Sequence, residues 1–282
     1  MAKKRSRVNK DTVGRSAVKR QELKDKTSNL ALTPWRHITK TFRFIFVNWK
    51  LFLPLVLVAL ATYAVSFCVS EDAMIIIIVF AIIMLWLATM FFVRRVMAGE
   101  KVKFRDGLYN AMTPLISTLM IFVVLVIQCL PIMLLVIGYS AAIETHLFGN
   151  MFYGSLFVLF AILMVVVSGY LLSGTLMALI SVSTPGMYPL TALELTHELM
   201  MGKRLAFVLR IVVLMVAIFI MGVVLVMPVL LVGLALYNFG GIETPMLVPI
   251  MVTVVAFFAV IYAGVYLYIY YRDLLGMDAS KK

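Results

Sequence analysis

The sequence predicts an all-α integral membrane protein with six transmembrane helices and amphipathic helices at the cytoplasmic interface. Its 282 residues are 63% hydrophobic and only 13% charged, whereas a soluble domain carries about 25% charged residues. The apolar residues fall into six long runs, and the Lys and Arg residues occur only in the termini and in every second connection between these runs. Composition and pattern together exclude a water-soluble globule and a disordered polymer.

The six predicted spans follow from the thickness of the bilayer. A hydrocarbon core of about 30 Å needs roughly 20 consecutive apolar residues in a helix. Six segments reach that length without an internal charge, namely residues 51–69, 74–93, 115–137, 152–180, 211–236 and 246–271. We therefore expect a six-helix transmembrane domain over residues 34–275.

The distribution of charge predicts the orientation of these spans. All 25 Lys and Arg residues lie before the first span, after the last, or in the second and fourth connections. The other three connections carry only acids, namely Glu71, Asp72, Glu144 and Glu243. Because cytoplasmic loops are enriched in Lys and Arg, both termini are expected in the cytoplasm of a multi-pass protein of the plasma membrane.

The two termini are predicted as tails outside the transmembrane domain. Residues 1–33 contain ten bases and many polar side chains, so they cannot bury a core and are expected to be disordered. A basic run of this kind binds anionic lipid or the phosphates of a nucleic acid. We favour lipid, because the run has no aromatic side chain before Trp35 that could stack on a base. Residues 276–282 form a short cytoplasmic C-terminal tail.

An amphipathic stretch precedes every second span and suggests an internal repeat. These stretches are residues 35–50, 102–112 and 188–204, the last with Pro189 near its start and Gly202 near its end. Helices of this pattern lie in the interface plane with the apolar side toward the acyl chains. An interfacial helix, a span, an acidic outer loop and a returning span would then recur three times, starting near Trp35, Lys101 and Gly186.

The second half of the chain resembles a known family. Residues 185–204 read PGMYPLTALELTHELMMGKR and precede a span that contains a proline, and residues 270–274 read YYRDL. Over roughly residues 100–275 the chain is similar to bacterial polytopic domains of the glycerophosphodiester phosphodiesterase membrane-domain type. The resemblance implies a helical membrane module, sometimes attached to a catalytic domain, without an established activity of its own.

Polar and helix-bending residues inside the spans are candidates for a solute path or for helix packing. Gln128 is the most polar side chain within a predicted span, and an interhelical hydrogen bond is its simplest use. Pro131 and Pro228 are expected to kink their helices and release a carbonyl group. Gly169 and Ser173, spaced by four residues, allow either close approach of two helices or a flexible gate.

The sequence carries no pattern that predicts catalysis, a cofactor or a metal site. His197 and Glu198 begin like a zinc-peptidase helix, but Met201 stands where the second His would be required. The last span ends in closely spaced tyrosines before Arg272, which predicts an aromatic belt at the interface with Arg272 reaching water. We therefore do not expect the protein to be an enzyme.

The sequence favours a non-enzymatic scaffold, assembly or membrane-property module. Its basic cytoplasmic face would bind anionic lipid or an acidic partner, and a protein partner or a second copy of the chain is a further expectation. The residues expected at this face are Arg94, Arg95, Lys101, Lys103, Arg105, Lys203 and Arg204. The alternative is a transporter or channel for a small or amphipathic solute, with a path near Gln128, Pro131 and Pro228.

Overall fold

The computed structural model describes residues 34–66, 68–144, 151–184, 186–240 and 247–276. These residues are almost entirely helical, and no strand occurs among them. The predicted basic tail over residues 1–33 lies outside the described residues, as do Glu243 and residues 277–282 of the C-terminal tail. The all-α class is therefore confirmed for the described part of the chain.

The described residues form ten helices. They are α1 (Pro34–Val47), α2 (Trp49–Ser66), α3 (Glu71–Met97), α4 (Phe104–Ala111), α5 (Leu115–Gln128), α6 (Leu130–Glu144), α7 (Met151–Val182), α8 (Pro189–Met200), α9 (Arg204–Gly240) and α10 (Leu247–Leu274).

Five segments of the described chain are long and apolar enough to cross a membrane. They are α3, the consecutive pair α5 and α6, α7, α9 and α10. The pair α1 and α2 meets the same criterion only when both helices are counted, and the two bend by 85° at their junction. The bend agrees with the sequence, because α1 carries Arg36, Lys40 and Arg43 on one side whereas α2 has no charged residue after Lys50 in its first turn.

Helices α10 and α3 pack closely against each other. Phe92 and Val93 of α3 and Ile261 and Val265 of α10 are completely buried. Gly264 makes the close approach possible, because a Cβ atom at this position would lie only 3.1 Å from Thr89 Cγ2. Helix α10 also contacts α1, α2, α7 and α9, so it is the central helix of the bundle.

The outward faces of the long helices are apolar. Ile116 of α5, Val166 of α7 and Phe219 of α9 are each more than 60% exposed. In water such a continuous apolar surface would be unstable, whereas hydrocarbon chains solvate it without a hydrophobic penalty. This surface fits a multi-pass membrane protein.

The three short helices pack on the long ones in a regular way. Helix α1 contacts α9 and α10, α4 contacts α3, and α8 contacts α5 and α7. Helix α8 begins at Pro189, and Gly202 just beyond its end has a positive φ of 73°. These two positions confirm the predicted start and end signals, since proline suits the first helical turn and glycine the left-handed conformation.

Candidate functional site

The two predicted basic residues at the end of α3 have different surroundings. The Arg94 guanidinium is half-buried, and its Nη1 donates a hydrogen bond of 3.0 Å to the carbonyl of Ser183, just after α7. Arg95 is exposed and forms an ion pair with Glu100. Both guanidinium groups lie over the Phe91 ring, at 5.8 and 5.5 Å from its centroid. Arg94 therefore joins two helices, whereas Arg95 faces the surrounding medium.

The remaining predicted bases differ in exposure. Those of the connection after α3 and the start of α4 are exposed, namely Lys101, Lys103 and Arg105. Lys203 and Arg204, between α8 and α9, are partly buried. Arg204 Nη2 lies 2.7 Å from His197 Nδ1, and its guanidinium lies 4.4 Å from the centroid of the Tyr170 ring. The exposed group of three is thus the part that is available to a headgroup or a partner.

A second exposed basic strip lies on α1. Its residues were not among those predicted from the sequence for the basic face. Arg36, Lys40 and Arg43 are all exposed and occur at spacings of four and three residues. This spacing places them on one face of the helix. The signal was available in the strong amphipathic pattern of residues 35–50, but the pattern alone does not show which side of α1 packs on the bundle.

Another face of α1 lines a large apolar cleft of about 930 Å³ between α1, α2, α9 and α10. Aliphatic, methionine and aromatic side chains make up its entire lining. Trp35 and Phe46 of α1 and Val216 of α9 lie at exposed positions along it, whereas Phe52 and Tyr262 are buried. The cleft can therefore accept an apolar group from the side of the bundle, and its walls offer little to a polar solute.

A buried polar cluster fixes α1 to the end of α10. His37 Nε2 and Asp273 Oδ2 lie 2.6 Å apart, and both side chains are almost completely buried. Arg210 of α9 is 5% exposed, and its guanidinium lies 4.5 Å from the centroid of the Tyr270 ring. The His37 ring also meets the edge of the Tyr266 ring at 6.1 Å. Ionisable groups from α1, α9 and α10 thus meet inside the bundle.

This cluster corrects part of one expectation and adds a residue to another. Tyr262, Tyr266 and Tyr270 are spaced by four residues and face the protein interior, so they do not belong to the predicted interfacial belt, whereas Tyr268 and Tyr271 are half-buried. The predicted span over residues 211–236 excluded Arg210, but α9 begins at Arg204 and carries Arg210 inward. The sequence could not distinguish buried from interfacial tyrosines, because both give the same pattern near a basic residue.

Gln128 lies at the junction of α5 and α6 and is bonded to α7. The Thr175 hydroxyl donates to Gln128 Oε1 at 2.5 Å, and the Ser168 hydroxyl donates to the Gln128 carbonyl at 2.9 Å. Pro131 is the second residue of α6 and lies two residues after Cys129, at which the two helices join. Both oxygens of Gln128 therefore serve contact between helices.

The other residues predicted for a path or for helix packing are distributed over α7 and α9. Gly169 of α7 faces α9, where a Cβ atom at this position would lie 3.8 Å from Val208 Cγ1. Ser173 is buried and donates to the Tyr170 carbonyl of its own helix. Pro228 lies within the continuous helix α9. The lining of the large cleft includes none of these three residues, nor Gln128 or Pro131.

Within the described ranges, no group of three or more His, Cys, Asp or Glu side chains is placed to hold a metal ion. Cys68 and Cys129 are free thiols. Comparison of the chain with known protein families, with curated proteins and with solved structures gives no match. The resemblance to the glycerophosphodiester phosphodiesterase membrane-domain type therefore stays a prediction.

Proposed function

We propose that this protein is a non-enzymatic, six-span module of the plasma membrane that binds anionic lipid at a basic cytoplasmic face. In this proposal α2 is the first span, and α1 lies in the interface plane. The observation that carries the proposal is the exposure of six bases, namely Arg36, Lys40 and Arg43 on α1 and residues 101, 103 and 105 after α3.

The arrangement of charge supports the orientation within this proposal. Arg95 at the end of α3 and Arg272 at the end of α10 lie near the same end of the bundle as α1, since Asp273 contacts His37. Asp72 at the start of α3 and Glu144 at the end of α6 lie at the opposite helix ends. Bases near an anionic leaflet contribute about 1 kcal/mol each, so this asymmetry favours placing α1 on the cytoplasmic side.

The packing of the short helices supports the threefold repeat. If the units are α1–α3, α4–α7 and α8–α10, then α4 packs on a span of the first unit and α8 on spans of the second. Helix α1 packs on the spans of the third unit. Each interfacial helix thus contacts the preceding unit in a closed cycle, which is the relation expected of parallel repeats around an axis along the membrane normal.

The alternative of a transporter or channel has less support. A path for a polar solute near Gln128 would need free polar groups there, but both of its oxygens accept hydrogen bonds from α7. The large cleft lies elsewhere and is apolar. A scaffold or membrane-property role, with a protein partner or a second copy of the chain, agrees better with these contacts.

The proposal is tested by lipid enrichment around the full-length protein. The protein is reconstituted in nanodiscs of phosphatidylcholine with a minor fraction of spin-labelled phosphatidylglycerol, and the immobilised fraction of the probe is measured at low and high salt. Replacing Lys101, Lys103 and Arg105 with glutamine is expected to lower the enrichment severalfold at low salt, with a smaller effect at high salt.

A matched control changes charge at the opposite ends of the helices. Asp72→Asn and Glu144→Gln are expected to leave the immobilised fraction of spin-labelled phosphatidylglycerol unchanged. Equal enrichment in the glutamine variant and the unmodified protein would overturn the proposed function, provided that both proteins elute as the same species.

A further inference from the structure

Helix α1 has three distinct faces that together describe an amphiphile-binding element. One face is basic and exposed and carries Arg36, Lys40 and Arg43. A second is polar and buried, since His37 bonds to the end of α10. The third is apolar and lines the large cleft. The basic and apolar faces adjoin around the helix, so a ligand lying against α1 meets positive charge and apolar surface at once.

The cleft is deep as well as open. Its inner wall is made of buried side chains, among them Ile45 and Phe52, which are 4% and 2% exposed. Its rim is formed by Trp35, 68% exposed, and by Val216, 51% exposed. The volume of about 930 Å³ lies near the upper end of the range of roughly 300–1,000 Å³ found for small-molecule sites.

The lining restricts the chemistry of the occupant. The Tyr262 hydroxyl, one of the few polar side-chain groups of the wall, already donates to the Ile38 carbonyl at 3.3 Å. An occupant of the cleft therefore needs no hydrogen bonds of its own. A hydrocarbon chain meets this condition, whereas a sugar or an amino acid would lose its hydration without replacement.

We propose that the cleft holds an acyl chain of an anionic phospholipid, whose phosphate is bound by Arg36, Lys40 and Arg43. This inference rests on the proposed binding of anionic lipid and adds one defined site to the exposed bases at residues 101, 103 and 105. Charge complementarity selects the anionic lipid over a zwitterionic one, because all three bases are exposed on α1 and Arg43 lies one turn before Phe46 of the cleft lining. The chain enters laterally, past Trp35 and Phe46, and contacts Phe52 and Tyr262 at the inner wall.

The experiment maps the chain by photolabelling. The full-length protein is reconstituted with trace phosphatidylglycerol that carries a diazirine on one acyl chain, or with phosphatidylcholine that carries the same chain. Labelled peptides are identified by mass spectrometry. We expect adducts concentrated on the cleft walls, severalfold above those on the exposed face of α7 around Val166, and stronger with phosphatidylglycerol than with phosphatidylcholine.

Two neighbouring residues of α9 provide a matched pair of variants. Val216→Trp places an indole in the cleft and is expected to reduce the adducts at the inner wall severalfold. Met215→Trp introduces the same side chain at an adjacent position, 64% exposed and outside the cleft lining, and is expected to leave them unchanged. Replacing Arg36, Lys40 and Arg43 with glutamine is expected to abolish the preference for phosphatidylglycerol. This variant and the unmodified protein are both expected to assemble in nanodiscs.

The outcomes separate the site from the general function. Adducts spread evenly over α7 and the cleft, with anionic enrichment intact, would overturn the cleft assignment and leave the proposed function standing. Adducts in the cleft without any preference between the two headgroups would overturn the binding of the phosphate by the strip on α1. If the cleft adducts are lost in preparations that contain a second protein and are present in those without it, a segment of that protein occupies the cleft. This result would also overturn the proposal.

Discussion

The hydrogen bond between Ser168 and the carbonyl of Gln128 is expected to be a measurable stabilising contact between α7 and the junction of α5 and α6. Pro131 has no N–H group, and the amide of Ile132 donates to the Cys129 carbonyl at 3.0 Å. In a continuous helix that amide would instead bond to the Gln128 carbonyl. The Ser168 hydroxyl, completely buried, supplies the missing donor at 2.9 Å.

The magnitude follows from the environment of this carbonyl. Hydrocarbon offers no water to replace a lost donor, and a buried unsatisfied acceptor costs about 1–3 kcal/mol. Measured interhelical hydrogen bonds in membranes average about 0.6 kcal/mol with a maximum near 1.7. We therefore expect Ser168→Ala to lower the free energy of unfolding by about 1–1.7 kcal/mol, where these two ranges overlap.

The measurement is reversible unfolding in bicelles by steric trapping or by detergent titration. Ser155→Ala is the control on the same helix, because the exposed Ser155 hydroxyl donates only to the Phe152 carbonyl one turn earlier. That substitution is expected to change the unfolding free energy by less than about 0.5 kcal/mol. Equal stabilities of the two variants would refute the reasoning that Ser168 repairs the interrupted helix.

Two further predictions concern helix packing and orientation. Gly264→Ala is expected to be less stable than Gly222→Ala by about 1–3 kcal/mol in the same unfolding assay, because the new Cβ atom lies 3.1 Å from Thr89 but 3.6 Å from its neighbour at the control site; equal stabilities would contradict the close contact of α3 and α10. A membrane-impermeant maleimide added to intact cells is expected to label the exposed Cys68 and to spare Cys129, which lies within a span. Labelling of Cys68 only after the membrane is opened would reverse the proposed orientation.

The helical class and the approximate positions of the long helices could be predicted because they depend on local properties. A run of apolar residues is helical in a membrane whatever its neighbours are, since each backbone group must be bonded within its own segment. The boundaries were less certain, because charged residues end a predicted span but not a helix. Helix α9 continues back through Arg210 to Arg204 for this reason.

The candidate functional residues could be predicted only in part from the sequence. The exposed bases at residues 101, 103 and 105 were expected and are accessible. The ion pair of His37 with Asp273 was not predicted, because its members lie 236 positions apart in the chain. Nothing in the pattern of either segment identifies the other as its neighbour.

By itself, the sequence determined that the chain is an apolar helical protein with its positive charge confined to alternate connections. These properties depend on residue type and on spacing along one helix, so they can be read locally. Only the tertiary structure decided which faces of α1 are buried, that Tyr262, Tyr266 and Tyr270 point inward, and that a cleft opens between α1 and α9. The physical reason is that hydrocarbon solvates every apolar face equally well, so shape and buried polar contacts select the helix partners.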